Sequence, residues 1–253
     1  MNGDHLRERL EFYRDLGITH LYQRRTALQA ANTETSSAAA AEPARGNEAG
    51  PAEALVVLPL APSHDDLAKI ADDIGDCKRC RLHEGRNKIV FGSGNDRASL
   101  VFVGEGPGAD EDEQGMPFVG RAGQLLTQMI EGTAKKEGIP LQRPDVYICN
   151  VVKCRPPENR TPFPDEMEIC GEFLFRQLEA IKPKAICALG STAAKALLGT
   201  KDGVMKLRGK WHKWRDIPVM VTYHPSYLLR PYNQNAKREA WEDLKKALHF
   251  VYD

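Results

Sequence analysis

The chain carries no surplus of charge of either sign, because 35 Lys and Arg offset 35 Asp and Glu. Global attraction to a polyanion is thereby excluded, and any nucleic-acid contact has to come from local basic patches. No apolar run is long enough to span a bilayer. The opening stretch MNGDHLRERLEF has no apolar centre of the signal-peptide kind, so the expectation is a cytoplasmic protein without membrane contact. No internal repeat is present, which removes solenoid architectures. Residues 29–54 contain no Val, Ile, Leu or aromatic side chain. Such a segment cannot bury enough apolar surface to offset its ordering entropy.

What is there divides the chain into three. Residues 1–28 read as a helical extension, with Leu6, Leu10, Tyr13, Leu16 and Leu21 at near-helical spacing. Residues 29–62 read as a disordered linker rich in Ala, Glu and Pro. Residues 63–253 read as the folded domain, beginning with a helix capped by Ser63 and containing Leu67, Ile70 and Ile74. Strands are expected in SLVFVG, VYICNVV, KAICALG and IPVMVTY, alternating with helices at RAGQLLTQMIEGTAKKEG, about 164–181, STAAKALLG and 236–251. That alternation predicts a three-layer α/β/α sandwich around a mostly parallel, four-stranded sheet. Ligands of such sheets bind outside the carboxyl ends of the strands. The loops after Val103, Val152 and Tyr223 fall there.

Six cysteines stand in a chain expected to be kept reduced, so metal ligation outweighs disulfides. Cys149 and Cys187 sit inside apolar strands and read as core residues. Cys77 and Cys80 form a C-x2-C pair, and Cys154 and Cys170 follow at wide spacing. Four thiolates suit structural zinc or an iron–sulfur cluster, and spacing alone leaves both open.

The loop GEGPGADEDEQGMPFVGRAG follows a strand and begins like a phosphate cradle. Its glycines do not lead straight into a helix, however, and Glu105, Asp110, Glu111, Asp112 and Glu113 would repel a pyrophosphate, so a dinucleotide site is excluded. Asp112 and Glu113 read as a solvated acidic face. In YICNVVKCRPPENR, Asn150 interrupts an apolar strand and Cys154 closes it beside Lys153 and Arg155.

Four separated elements, GEGPGADEDEQGMPFVGRAGQLL, NVVKCRPPENRTP, HPSYLLR and the cysteine spacing, together resemble the family-4 uracil-DNA glycosylases, over roughly residues 65–250. The family's first motif usually has alanine where this chain has Gly106. The resemblance implies a 4Fe–4S cluster on Cys77, Cys80, Cys154 and Cys170, and a monofunctional hydrolase that removes uracil from single- or double-stranded DNA in base excision repair. It implies Asn150 as the base reader, Phe118 as the ring stacked on the extruded uracil, and His224 as the group facing the uracil oxygen beside the glycosidic nitrogen. Gly106 and Glu111 would complete the base pocket, Glu111 crowding a 5-methyl group. Water positioning would rest on Glu105, backbone groups or Asn159. Arg155, Arg160, Ser226, Leu228 and Arg230 would contact DNA, with Lys153 also near phosphate and Leu228 or Leu229 as a wedge. CKRCRLHEGRNK and KDGVMKLRGKWHKWR would supply basic patches. The protein is expected to be a monomer whose N-terminal helix recruits a repair or replication partner. A noncatalytic metal-dependent DNA adaptor is the rival from another class. A uracil-crosslinking relative is disfavoured by the absence of histidine from residues 121–146.

Overall fold

A computed structural model describes residues 65–230 and 232–253. The expected N-terminal helix, the linker and Ser63 lie outside the described residues. Helix α1 (Leu67–Ile74) is capped not by Ser63 but by Asp66, whose carboxylate accepts the Lys69 N–H at 2.8 Å.

The sheet has six strands rather than four, in the order β1-β3-β2-β4-β6-β5. Its four inner strands are β2 (Leu100–Gly104), β3 (Tyr147–Asn150), β4 (Ala185–Leu189) and β6 (Ile217–Thr222), and they run parallel. Every residue of β2, β3 and β4 is buried, as expected of strands covered on both faces. The two additional strands, β1 (Ser93–Gly94) and β5 (Trp211–Trp214), pair antiparallel at the edges. Strand β1 is too short to leave a pattern. Strand β5 lies inside a basic stretch and turns into β6 through Arg215–Asp216, with Arg215 at φ 52°. A two-residue hairpin turn of that hand ordinarily announces itself by Asn-Gly or Asp-Gly, and this one does not.

Side-chain alternation along the inner strands builds two cores. Val101, Val103, Ile186 and Ala188 face α1, α4 (Pro164–Ile181) and α5 (Ser191–Leu198), through Ile70, Phe173, Leu174 and Leu197. Leu100, Phe102, Ile148 and Cys187 face α3 (Arg121–Lys136) and α8 (Gln234–Tyr252), through Leu126, Ile130, Leu244 and Leu248. Short helices α2 (Ala109–Gln114), α6 (Val204–Leu207) and α7 (Pro225–Leu228) sit in the connections. Strand β2 connects to β3 on one side while β4 takes its other side. The strand order therefore reverses at β2, and the loops leaving β2 and β4 diverge to open a crevice.

Asp112 corrects the picture of a solvated acidic loop. It is buried and accepts the Asn87 N–H at 2.9 Å and the Asn87 Nδ2–H at 2.8 Å, tying α2 to the segment after the C-x2-C pair. Asp112→Ala leaves those donors without an acceptor. It is expected to lower the unfolding free energy by about 1–3 kcal/mol in urea titration; a change below about 0.5 kcal/mol, the level of an ordinary surface substitution, would contradict the assignment.

Candidate active site

Four parallel strand ends converge on a cavity of about 310 Å³, within the size range of small-molecule sites. The loop after β2 brings Glu105 and Gly106, β3 ends at Asn150, β4 leads into Gly190 and Ser191, and the loop after β6 brings His224. Phe118 and Glu111 close the far wall.

Asn150 is buried, and its Oδ1 has no hydrogen-bond partner. Space for this carboxamide is made by Gly104 on the neighbouring strand, where an added Cβ would lie 2.4 Å from Asn150 Oδ1 and 2.5 Å from Phe118 Cζ. Phe118 itself sits at φ 53°, a left-handed conformation that a bulky residue adopts only when its surroundings impose it. Glu111 imposes it: one carboxylate oxygen accepts both the Val119 and the Gly120 N–H at 2.9 Å, and the other accepts the Gly108 N–H at 3.1 Å. The carboxylate thus folds the loop around the ring as well as lining the cavity. Gly123 permits the approach of the Phe118 carbonyl, which an alanine Cβ would overlap.

His224 caps α7, with Nδ1 accepting the Ser226 N–H at 3.2 Å and lying 2.7 Å from Ser226 Oγ. A backbone amide can only donate, so Nδ1 is unprotonated and the ring proton sits on Nε2. Burial lowers the imidazole pKa to about 4, against a smaller upward pull from Glu111. The ring is therefore a neutral donor at physiological pH. It lies 5.7 Å from the Phe118 ring, centroid to centroid.

Glu105 accepts a hydrogen bond from Thr192 Oγ1 at the start of α5, so its carboxylate is held rather than free. Asn159 has φ 56° and accepts from Arg155 Nε at 2.9 Å, which leaves both residues linked at the cavity rim. At Gly106 an added Cβ would come within 2.7 Å of Val152 Cγ2, so the glycine allows β3's continuation to pack closely against this loop.

A second, smaller cavity is lined by Cys77, Cys80, Cys154 and Cys170 together with Ile74, Ile89 and Phe173. All four thiols are free. Burial raises the pKa of Cys80 and Cys154 and pushes that of Cys170 up to about 12. N–H donors point at the sulfurs: Lys153 N–H to Cys170 Sγ at 3.2 Å, and Arg86 Nη1 to Cys154 Sγ at 3.4 Å. Such donors suit sulfur that becomes anionic on binding a metal. Among the described residues no three His, Cys, Asp or Glu side chains are gathered to hold a single ion. The four cysteines share the lining of this one cavity. Cys149 and Cys187 are fully buried in β3 and β4.

Residues 91–245 match the family described as the Uracil DNA glycosylase superfamily. A type-4 uracil-DNA glycosylase of Thermotoga maritima is 47% identical over 75% of this chain and 97% of its own length. A second, from Archaeoglobus fulgidus, is 43% identical over 72% of this chain and 92% of its own. A third, from Sulfurisphaera tokodaii, is 44% identical over 72% and 83%. The chain belongs to the type-4 uracil-DNA glycosylases.

Within this type-4 glycosylase, several residues expected at the DNA surface are placed elsewhere. Lys153 is fully buried and donates to Asn150 O at 2.8 Å and Gln177 Oε1 at 2.6 Å, so it cannot meet a phosphate. Leu228 is buried against Tyr223, Ala236 and Ala240, which anchors α7 to α8 and removes it as a wedge; Leu229 is only half-buried. Arg160 lines the cavity but forms a two-pronged ion pair with buried Glu166 at 2.7 and 2.8 Å. Arg230 and Ser226 are exposed. In the basic stretches Arg79 pairs with Asp73, Arg81 with Asp165, Arg86 with Asp76 and Arg208 with Asp243, which neutralises much of the local excess. Trp214 stacks on Phe175 and Trp211 meets Phe250 at a tilt of 45°, and both tryptophans belong to the edge strand β5.

Sequence reasoning missed the fourth wall, Leu189 to Ser191 after β4, and with it Thr192. The glycine directly after that strand was the available signal: Gly190 sits at φ 92° and a Cβ there would be 3.0 Å from His224 Cβ. Gly104 was likewise missed. Gly104→Ala should push Phe118 or Asn150 out of place and reduce kcat/KM by about 100-fold or more, the scale of a 1 Å misplacement in an active site, with the fold retained by circular dichroism. Activity within about threefold of the parent would show that the close approach of the two side chains is not needed.

Proposed function

We propose that the cavity receives a uracil extruded from DNA and that the protein hydrolyses its N-glycosidic bond, leaving an abasic site. The observation that carries this reading is the buried, unpartnered Oδ1 of Asn150. A buried acceptor without a donor costs about 1–3 kcal/mol, and the uracil N3–H is a donor of the right kind. The carboxamide nitrogen can donate to O4. Cytosine presents an acceptor at N3 and a donor at position 4, so both contacts would oppose like groups.

Phe118 offers a ring face for stacking, held by Glu111 rather than by its own conformational preference. Neutral His224 donates from Nε2 to O2. As the C1′–N1 bond breaks, the electron pair moves into the uracil ring and negative charge grows on O2, so the hydrogen bond strengthens in the transition state. Water adds to C1′, and the proton it gives up passes to the departing uracil anion, which leaves as the neutral base. Glu105, fixed by Thr192, and Asn159 at the rim are the groups that would orient it. Base release from single- or double-stranded DNA by a monomer fits a site entered from one side of the sheet.

A 4Fe–4S cluster on Cys77, Cys80, Cys154 and Cys170 would tie the segment before the sheet, the loop after β3 and helix α4 together. Four cysteines lining one cavity could hold such a cluster, as the family resemblance implies. Its role would be structural, since hydrolysis transfers no electrons. The N-terminal segment as a partner-binding element and the residues 63–253 as the catalytic unit belong to the same proposal.

The test is release of free uracil from a uracil-containing oligonucleotide, with Asn150→Ala and His224→Ala beside the parent. Each variant should lose about 100-fold or more in kcat/KM, the scale of a removed transition-state donor. His224 bears on pH as well. Its neutral form is the donor, so its contribution to kcat/KM is complete well above about 4 and is lost as pH falls through that value. The acid limb of kcat/KM should therefore fall near pH 4. No uracil release by the parent, or an acid limb at the ordinary histidine value, would overturn the reading.

A further inference from the structure

Lys153 joins the two halves of the site. It is fully buried and lines the cysteine cavity, while its Nζ donates to the main-chain oxygen of Asn150 at 2.8 Å. Its backbone N–H donates to Cys170 Sγ. The second Nζ bond goes to Gln177 Oε1 at 2.6 Å, and Gln177 in turn donates from Nε2 to Phe91 O at 3.0 Å and Tyr147 Oη at 3.1 Å. Both Nζ partners are uncharged.

A buried ammonium with only neutral partners is unstable as a charge. Thiolates of the cavity that Lys153 lines, on a bound cluster, would be anionic and would supply the missing partner. The same ammonium fixes the carbonyl of the base reader at the last residue of β3. We propose that Lys153 is a positioning residue: it is the counter-cation of the cysteine-bound cluster, and it locks Asn150 so that loading the cluster sets the geometry of base reading. This rests on the glycosylase and cluster readings above and assigns them a physical link. Removing the cation weakens retention of the anionic group and lets the end of β3 relax, although Lys153 touches neither DNA nor base.

Lys153→Met keeps the stem's length without the charge, and Gln177→Leu keeps the lysine but removes one of its partners. Purified holoenzyme would be compared for iron per chain, for the rate of iron loss to a chelator, and for uracil release with and without Asn150→Ala. Lys153→Met should lose iron about 10- to 100-fold faster, the usual cost of removing an outer-sphere partner of a metal site. It should also lower kcat/KM for uracil about 10-fold or more on the parent background, yet have little further effect on Asn150→Ala, because both changes act through one residue. Gln177→Leu should show a smaller loss of the same kind, which keeps the test open if Lys153→Met does not fold. Iron loss at the parental rate, or losses that multiply independently with Asn150→Ala, would overturn the proposal. The parent controls separate the readings: a parent without iron removes the cluster, and a parent with iron but no uracil release removes the glycosylase.

Discussion

A buried carboxamide oxygen without a donor from the protein is a standing cost, and the arrangement around Asn150 maintains it. Gly104 leaves the room, Gly123 lets the Phe118 backbone approach, and Glu111 folds the Phe118 loop by accepting three amide hydrogens. Each of these residues lacks a direct part in bond cleavage. Their effect is that donor and acceptor positions are set before any base arrives, so little binding energy is lost in ordering the site.

The same economy of motion governs His224. A cation there would bind an anionic leaving group more strongly in isolation, but it would also bind the ground-state phosphates of DNA. The ring is instead neutral, its tautomer dictated by the amide of Ser226 and its charge suppressed by burial. A neutral donor whose hydrogen bond strengthens only as charge develops on the base acts on the transition state more than on the substrate. Asn150 at the end of β3 and His224 in the loop after β6 thus line one cavity, with the sheet as the rigid body between them.

The inner sheet was legible because strands buried on both faces leave near-continuous apolar runs, and SLVFVG, VYICNVV and KAICALG are such runs. Asn150 stood out by interrupting one. The edge strands were not legible: β1 is two residues long, and β5 hides its alternation among lysines, where Trp211 and Trp214 suggested nucleic acid rather than a sheet margin. Buried charge was the other blind spot. Asp112 and Lys153 read as solvated because their partners, Asn87 and Gln177, lie 25 and 24 residues away in the chain, and only the fold brings them together. Glu105, Glu111, Phe118, Asn150 and His224, which the resemblance singled out, line one cavity, yet the resemblance could not foresee that Leu228 anchors a helix or that Arg160 is committed to Glu166.

The most direct measurement is a crystal structure of the iron-loaded protein soaked with free uracil. The account predicts the ring lying against Phe118, with N3 within hydrogen-bond distance of Asn150 Oδ1 and O2 facing His224 Nε2. Uracil bound elsewhere, or in this cavity with Asn150 Oδ1 still unpartnered, would contradict it.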